Sequence, residues 1–218
     1  MAISETMLDT CEIFYSIQGE GGYAGLPCIF IRLAGCNLDC RWCDTTYARA
    51  NGDKKSIDTV LAEIESFPTD LVMITGGEPL HQKGTAELIS RLVSLKYRVL
   101  LNTNGSYPLC GLPEEIIRVI DVKCPGSGEA SSFLQSNITC IRREDEINFV
   151  ITDRMDFDWA LSFIYDKLED IETNMFFTPA YGLLDPKELA DWILKTKNGK
   201  IRLGIQLHKI IWGAKRGV

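Results

Sequence analysis

The chain has 218 residues, 45% hydrophobic and 24% charged, the balance of a folded globular domain and not of a disordered or fibrous chain. Its 23 Lys and Arg against 30 Asp and Glu give a formal net charge of −7, so no nucleic-acid partner is expected. No apolar run approaches the roughly 20 residues that span a bilayer. The opening MAISETMLDTCEIF has no basic segment followed by an apolar one, so the expectation is a cytoplasmic protein without membrane contact.

Short apolar runs then alternate with longer amphipathic stretches. Residues 28–35 (CIFIRLAG) predict a strand, and residues 56–67 a helix with Ser56 as N-cap. A buried strand over 70–75 closes on Gly76-Gly77, and helical periodicity follows over 85–95. Residues 98–103 predict a strand ending at Asn104-Gly105. Residues 113–119 predict a short helix with Pro113 near its start, and 119–123 another strand. Two further pairs follow, strand 146–152 with helix 157–168 and strand 174–179 with helix 186–196, before a last strand over 202–207. Six of these strands can each open a βα unit, although the helix after the fourth has no clear pattern. Runs apolar on both faces imply a parallel sheet covered by helices. The expectation is a single α/β domain over 1–218, an open doubly wound sheet or a partial barrel. In either, functional groups gather at the C-terminal ends of the strands.

Of the eight cysteines, Cys11, Cys28, Cys110, Cys124 and Cys140 are scattered and read as small buried hydrophobes. Cys36, Cys40 and Cys43 form a C-x3-C-x2-C loop. Three thiolates so spaced can hold one face of a [4Fe–4S] cubane and leave one iron open. A zinc site is the alternative, but neither His81 nor His208 lies at finger-like spacing from the loop.

The loop, with Trp42 before its last Cys and Gly76-Gly77-Glu78-Pro79 one βα unit later, resembles the radical S-adenosylmethionine (SAM) superfamily. That resemblance implies a modified, incomplete (β/α)6 TIM-type barrel. It also implies an iron that chelates SAM and an electron that cleaves it to a 5′-deoxyadenosyl radical. The runs EIFYSIQGEGG, FIRLAGCNLDCRWCDT and QLHKIIWGAKRGV resemble the 7-carboxy-7-deazaguanine synthase family, over essentially the whole chain. The reaction implied is ring contraction of 6-carboxy-5,6,7,8-tetrahydropterin with loss of ammonia, SAM being regenerated and magnesium assisting.

Carried over residue by residue, the resemblance implies substrate contacts at Ile17, Gln18, Gly19, Glu20, Arg32 and Thr75. It implies SAM contacts at Trp42, Gly77, Glu78, Asn104, Asp121 and Lys123, and magnesium at Thr45. Chemistry supports several of these. Gln18 and Glu20 can read a pterin edge. Arg32 interrupts an apolar strand and needs an anionic partner, either a structural carboxylate or the substrate's. Thr45 can ligate magnesium only with substrate and water completing the shell, or else caps the following turn. Asn104 either meets SAM or caps its own turn. Asp121-Val122-Lys123 stands where the family often has Ser-Pro-Lys, and Asn148 where it commonly has Lys. The resemblance further implies a flavodoxin-type electron donor and a homodimer. A glycyl-radical activating enzyme, acting on a partner protein, shares the cysteine loop. Gln18–Gly21, Arg32 and Thr45 instead suit a small carboxylated substrate.

Overall fold

The computed structural model describes residues 5–50 and 52–218. In chain order these form β1 (Met7–Ile17), β2 (Pro27–Leu33), β3 (Asp53–Ser56), α1 (Ile57–Ile64), β4 (Leu71–Gly76), α2 (Thr85–Ser94) and β5 (Arg98–Thr103). There follow β6 (Ile117–Asp121), β7 (Glu146–Ile151), α3 (Arg154–Lys167), β8 (Asn174–Pro179), α4 (Pro186–Thr196), β9 (Ile201–Leu203) and α5 (Leu207–Trp212). One nine-stranded sheet runs β3-β1-β2-β4-β5-β6-β7-β8-β9. From β2 to β9 every pairing is parallel, whereas β1 runs antiparallel to both neighbours. The expected parallel α/β sheet is present and open. Its two edge strands, β3 and β9, do not pair with each other.

Three local expectations are corrected. No strand was expected before residue 28, yet β1 covers eleven residues. It lies between β2 and β3 with most of its side chains partly exposed, so it has no apolar alternation to read. The helix expected over 113–119 is a turn leading into β6. There Ile116, Arg118 and Ile120 are buried in alternation, the period of a strand, and the β-branched run favours it. Hence β5–β6 and β6–β7 are joined without α-helices. The last strand is short and gives way to α5. Ser56 does cap α1, its Oγ accepting the Thr59 N–H at 3.2 Å, a contact worth about 1 kcal/mol.

The pleat decides which residues meet the helices and which face the concave side. Ile29, Ile31, Val72, Ile74, Val99 and Leu101 pack with α1 and α2 in an aliphatic core. Phe149, Phe157 and Phe177 build a second core with α3 and α4, joined by edge-to-face ring contacts. The alternate positions point the other way. Cys28, Leu71, Met73 and Leu100 close the base of the concave face. Nearer the C-terminal strand ends, polar residues replace them: Arg32, Thr75, Asn102, Asp121 and Asn148 all line a cavity.

Among the scattered cysteines, Cys28 and Cys124 are buried as expected, and Cys11 is partly so. Cys110 and Cys140 are a correction. They lie in surface loops, their Cα atoms 5.5 Å apart, and are joined as a disulfide. Among the described residues, no helix is long and apolar enough to cross a membrane.

Candidate active site

The cavity has a volume of about 350 Å³. Every site residue expected from the sequence lines it except Glu78. Cys36, Cys40 and Cys43 follow β2 and sit half-buried on one wall. Their loop is fixed from outside. The Arg41 N–H donates to the Ser127 carbonyl at 3.0 Å, the Asp39 N–H to Glu129 at 2.8 Å, and Arg49 to the Cys40 carbonyl at 2.8 Å. Burial pushes the Cys36 and Cys40 thiols up.

Among the described residues, no three His, Cys, Asp or Glu side chains gather closely enough to hold a single metal ion. Three thiolates in one loop, on one wall of the cavity, fit a cluster that spreads its ligands over three irons. The Trp42 indole N–H, beside them, is buried and has no partner, so the wall offers a donor that awaits an acceptor. Lys123 stands over the Trp42 ring, its Nζ 5.4 Å from the centroid, and is paired with Asp121. Burial works against the ammonium, but the Asp121 carboxylate paired with it outweighs that and holds the Lys123 pKa up.

The Gly76-Gly77-Glu78 turn is spliced onto this wall through its backbone. The Gly77 N–H donates to the Leu33 carbonyl at 3.0 Å and the Glu78 N–H to the Gly35 carbonyl at 2.8 Å. A Cβ on Gly77 would stand 2.0 Å from the Gly35 oxygen, so only glycine fits. Glu78 is fully buried behind the wall. Its carboxylate accepts from the Asn104 N–H (2.7 Å), the Thr103 hydroxyl (2.9 Å) and the Leu80 N–H (2.9 Å). It fixes the position of Asn104 and does not itself face the cavity. Asn104 caps its own turn and also lines the cavity. Its Oδ1 accepts the Ser106 N–H, and its amide donates to Asn37.

The opposite wall comes from the other end of the sheet. Ile17, at the end of β1, pairs with Pro27, at the start of β2, so Gln18–Gly22 lies at the N-terminal end of the parallel strands. This stretch reaches across the sheet opening. The Gly19 carbonyl accepts the Leu207 N–H at 2.8 Å, Glu20 accepts from Gln206 at 2.8 Å, and Glu146 receives the Gly22 N–H at 3.0 and 3.1 Å. The barrel gap is thus bridged by a loop where strands do not pair. Burial, with the negative charges of Asp44 and Asp121, raises Glu20 to about 7 against the opposing effects of Gln206 and Lys209. His208, given no role from sequence, packs on Gly19 and lines the cavity, where burial and Lys209 lower its pKa.

Thr45 does not cap its turn. Its hydroxyl donates to Asp44 at 2.8 Å, and the other Asp44 oxygen meets Lys209 at 3.2 Å. Two oxygens side by side at the cavity edge fit a hard cation that keeps several waters. Arg32 has a structural carboxylate partner and also lines the cavity. Its Nε donates to Glu12 at 2.7 Å. Glu12, Tyr47, Asn148 and Gln206 also shape the site, although sequence reasoning assigned none of them a role. Asn148 bridges Asp121 (3.3 Å) and Thr178 (2.7 Å) where the family commonly has Lys.

Residues 30–124 match the model of the radical SAM superfamily. A 7-carboxy-7-deazaguanine synthase of Koribacter versatilis is 43% identical over 216 residues, covering 92% of this chain and 95% of the relative. One from Chlorobaculum tepidum is 40% identical over 219 residues, covering 99% of each. The crystal structure of QueE from Escherichia coli superposes with a TM-score of 0.77 at 23% identity, covering 93% of this chain and 95% of that one, and supports the fold. With two relatives at this level of identity along nearly their whole length, the chain belongs to the 7-carboxy-7-deazaguanine synthase family of the radical SAM superfamily.

Proposed function

We propose that this chain contracts the ring of 6-carboxy-5,6,7,8-tetrahydropterin to 7-carboxy-7-deazaguanine, releasing ammonia, as a radical SAM lyase. The observation that carries this reading is the meeting of two unlike walls on one cavity. The cysteine loop with Trp42 and Lys123 lines it together with Arg32 and with Gln18 and Glu20 of the bridging loop. Cys36, Cys40 and Cys43 would hold the [4Fe–4S] cluster. Gly77, Asn104, Asp121 and Lys123 would hold SAM, with Glu78 acting from behind through Asn104. The bound cluster and SAM supply hydrogen-atom abstraction. The protein's own part is to keep both reactants adjacent until the hydrogen is returned, which is a matter of positioning.

On the substrate side, Gln18 and ionised Glu20 accept from the pterin's N–H and amino groups, and Arg32 takes the carboxylate. Thr75 flanks the ring, and Gly19 lets it approach the backbone of the bridging loop. Thr45 shares magnesium with the substrate carboxylate. The same reading carries a flavodoxin-type donor, a homodimer and a reducing cytoplasmic setting. The test mixes reduced holoenzyme, SAM and the carboxylated tetrahydropterin without air. The expected result is 7-carboxy-7-deazaguanine with free 5′-deoxyadenosine far below it, and label from C6-deuterated substrate in recovered SAM. One deoxyadenosine per turnover would mean that SAM is consumed, and would count against the reading.

A further inference from the structure

Arg32 is held by a residue from the neighbouring strand, and that residue holds something else as well. Glu12 on β1 faces Arg32 on β2 because the register slips between Thr10 and Glu12: Thr10 pairs with Leu33 and Glu12 with Arg32. Two steps on β1 match one on β2, which is a bulge at Cys11. Without it Glu12 would stand opposite Ile31, on the helix-facing side. The bulge thus turns a carboxylate towards the cavity wall.

Both oxygens of that carboxylate are occupied. Oε1 accepts from Arg32 Nε at 2.7 Å and from the Tyr47 hydroxyl at 3.2 Å. Oε2 accepts from Arg216 Nε at 2.8 Å. Arg216 lies on the last segment of the chain, with its guanidinium carbon 4.1 Å from the centroid of the Tyr47 ring. Residues 214–218 line the same cavity as Arg32. Two guanidinium groups therefore share one carboxylate, which leaves a net positive charge there. Among the described residues, only the Nε of Arg32 is paired, so both its Nη groups remain available. That is the edge a carboxylate takes in a forked pair.

We propose that Glu12 is a positioning residue: it orients the Nη edge of Arg32 towards the substrate carboxylate and, through Arg216, draws the C-terminal segment over the same cavity. This rests on the substrate role given to Arg32 above. Carboxylate recognition and closure of the C-terminal segment are then coupled through one side chain. Gln at position 12 keeps the shape. Its amide has one acceptor and one donor face, however, so it can satisfy one arginine only by turning an N–H towards the other.

The experiment measures binding of 6-carboxypterin and of pterin, which lacks the carboxylate, to reconstituted holoenzyme. The wild type should prefer 6-carboxypterin by roughly tenfold or more, the scale of a charge-assisted contact. Glu12→Gln should remove most of that preference, with iron content unchanged, and Glu12→Asp should restore part of it. Arg216→Gln should also weaken 6-carboxypterin and leave pterin unaffected. The double variant should be no worse than Glu12→Gln alone, since both act through one contact. Should Glu12→Gln fail to fold, the exposed Arg216→Gln decides by its effect on 6-carboxypterin alone. A wild type without preference would sink both the Arg32 role and this inference. A preference that survives Glu12→Gln, or variant effects that multiply, would overturn the inference and leave the Arg32 role standing.

Discussion

The two walls of the cavity are built from different stretches of chain. The cysteine ligands are local: Cys36, Cys40 and Cys43 lie within eight residues, and the Arg49 guanidinium and the Ser127 carbonyl hold the loop that carries them. The opposite wall is assembled over distance. The Glu12–Arg216 contact spans 204 residues, and the Gln206–Glu20 contact spans 186. A cluster needs a fixed set of identical ligands, which one loop can supply. Recognition of a flat, carboxylated ring needs unlike groups on several sides, which only the folded sheet can bring together.

The largest expected effect separates the walls outright. Changing Cys36, Cys40 or Cys43 to Ala should abolish iron binding and SAM cleavage. Changing Cys11, Cys28 or Cys124 should leave iron content intact, although the buried pair will cost stability. Iron analysis of anaerobically reconstituted variants checks this. A Cys28→Ala protein without iron would show that the cysteine wall is not self-contained.

This contrast also explains what could be read in advance. The parallel sheet was legible because strands buried on both faces are plainly apolar, and the cysteine loop because its spacing is contiguous. Gln18 and Glu20 could be singled out only through family resemblance, since a polar Gly-rich run is otherwise a turn. Glu12 opens the run EIFYSIQGEGG, but nothing in that run set it apart from its neighbours. A lone Glu in a strand resembles an exposed position, and only the bulge at Cys11 places it opposite Arg32. Glu78 is fully buried, which its motif could not say, because motif spacing does not tell which side of a turn a side chain packs on. The turn over 113–116 was misread because Pro followed by two Glu looks like a helix start. The buried Arg118–Asp145 pair and the alternation of Ile116 and Ile120, which decide for a strand, are tertiary.

On the distributed wall, the next effect in size is a pH dependence. Glu20 sits near neutrality in the free protein, held up first by burial. A carboxyl with a raised pKa is protonated below it and ionised above it. Binding that needs the carboxylate should therefore strengthen as pH rises through about 7. Affinity for 6-carboxypterin should show that inflection in the wild type and lose it in Glu20→Gln, whose binding should be roughly tenfold weaker at the alkaline end. The folding linkage has the opposite direction. An acid with a raised pKa in the folded state favours folding less as pH climbs from its unfolded value, so unliganded stability should fall slightly over the same span. An unshifted profile in Glu20→Gln would remove Glu20 from the substrate edge.

A smaller effect is expected where the walls meet. Thr45→Val keeps the shape beside Asp44 but deletes the hydroxyl oxygen. Magnesium stimulation of turnover should weaken, with no change in iron content. Asp44 would still offer oxygen, and burial is offset there by the Thr45 hydroxyl and Lys209, which hold its carboxyl below the usual range. An unaltered magnesium response would take Thr45 out of the metal shell.

The least effect on turnover is expected outside both walls, at the Cys110–Cys140 disulfide. The bond closes a loop with a sequence separation of 30 residues, so its loss should cost about 3–4 kcal/mol of stability on chain-entropy grounds. The loop after β5 carries Asn104, so the bond lies in the same connection as a residue that lines the cavity. Other contacts hold that connection as well. Asn137 donates to the carbonyls of Gly105 and Tyr107 at 2.9 Å each and accepts the Leu109 N–H at 2.9 Å, while Arg118 reaches the carbonyls of Leu109 and Cys140. Glu78 holds Asn104 from behind at 2.7 Å. Cys110→Ser with Cys140→Ser should therefore lower the unfolding midpoint in denaturant yet leave KM for SAM near the wild-type value. A reducing cytoplasm, which keeps thiols open, would then leave catalysis intact. A rise in KM for SAM comparable to that of an Asn104 variant would show that the disulfide, and not the hydrogen bonds, sets the position of that wall.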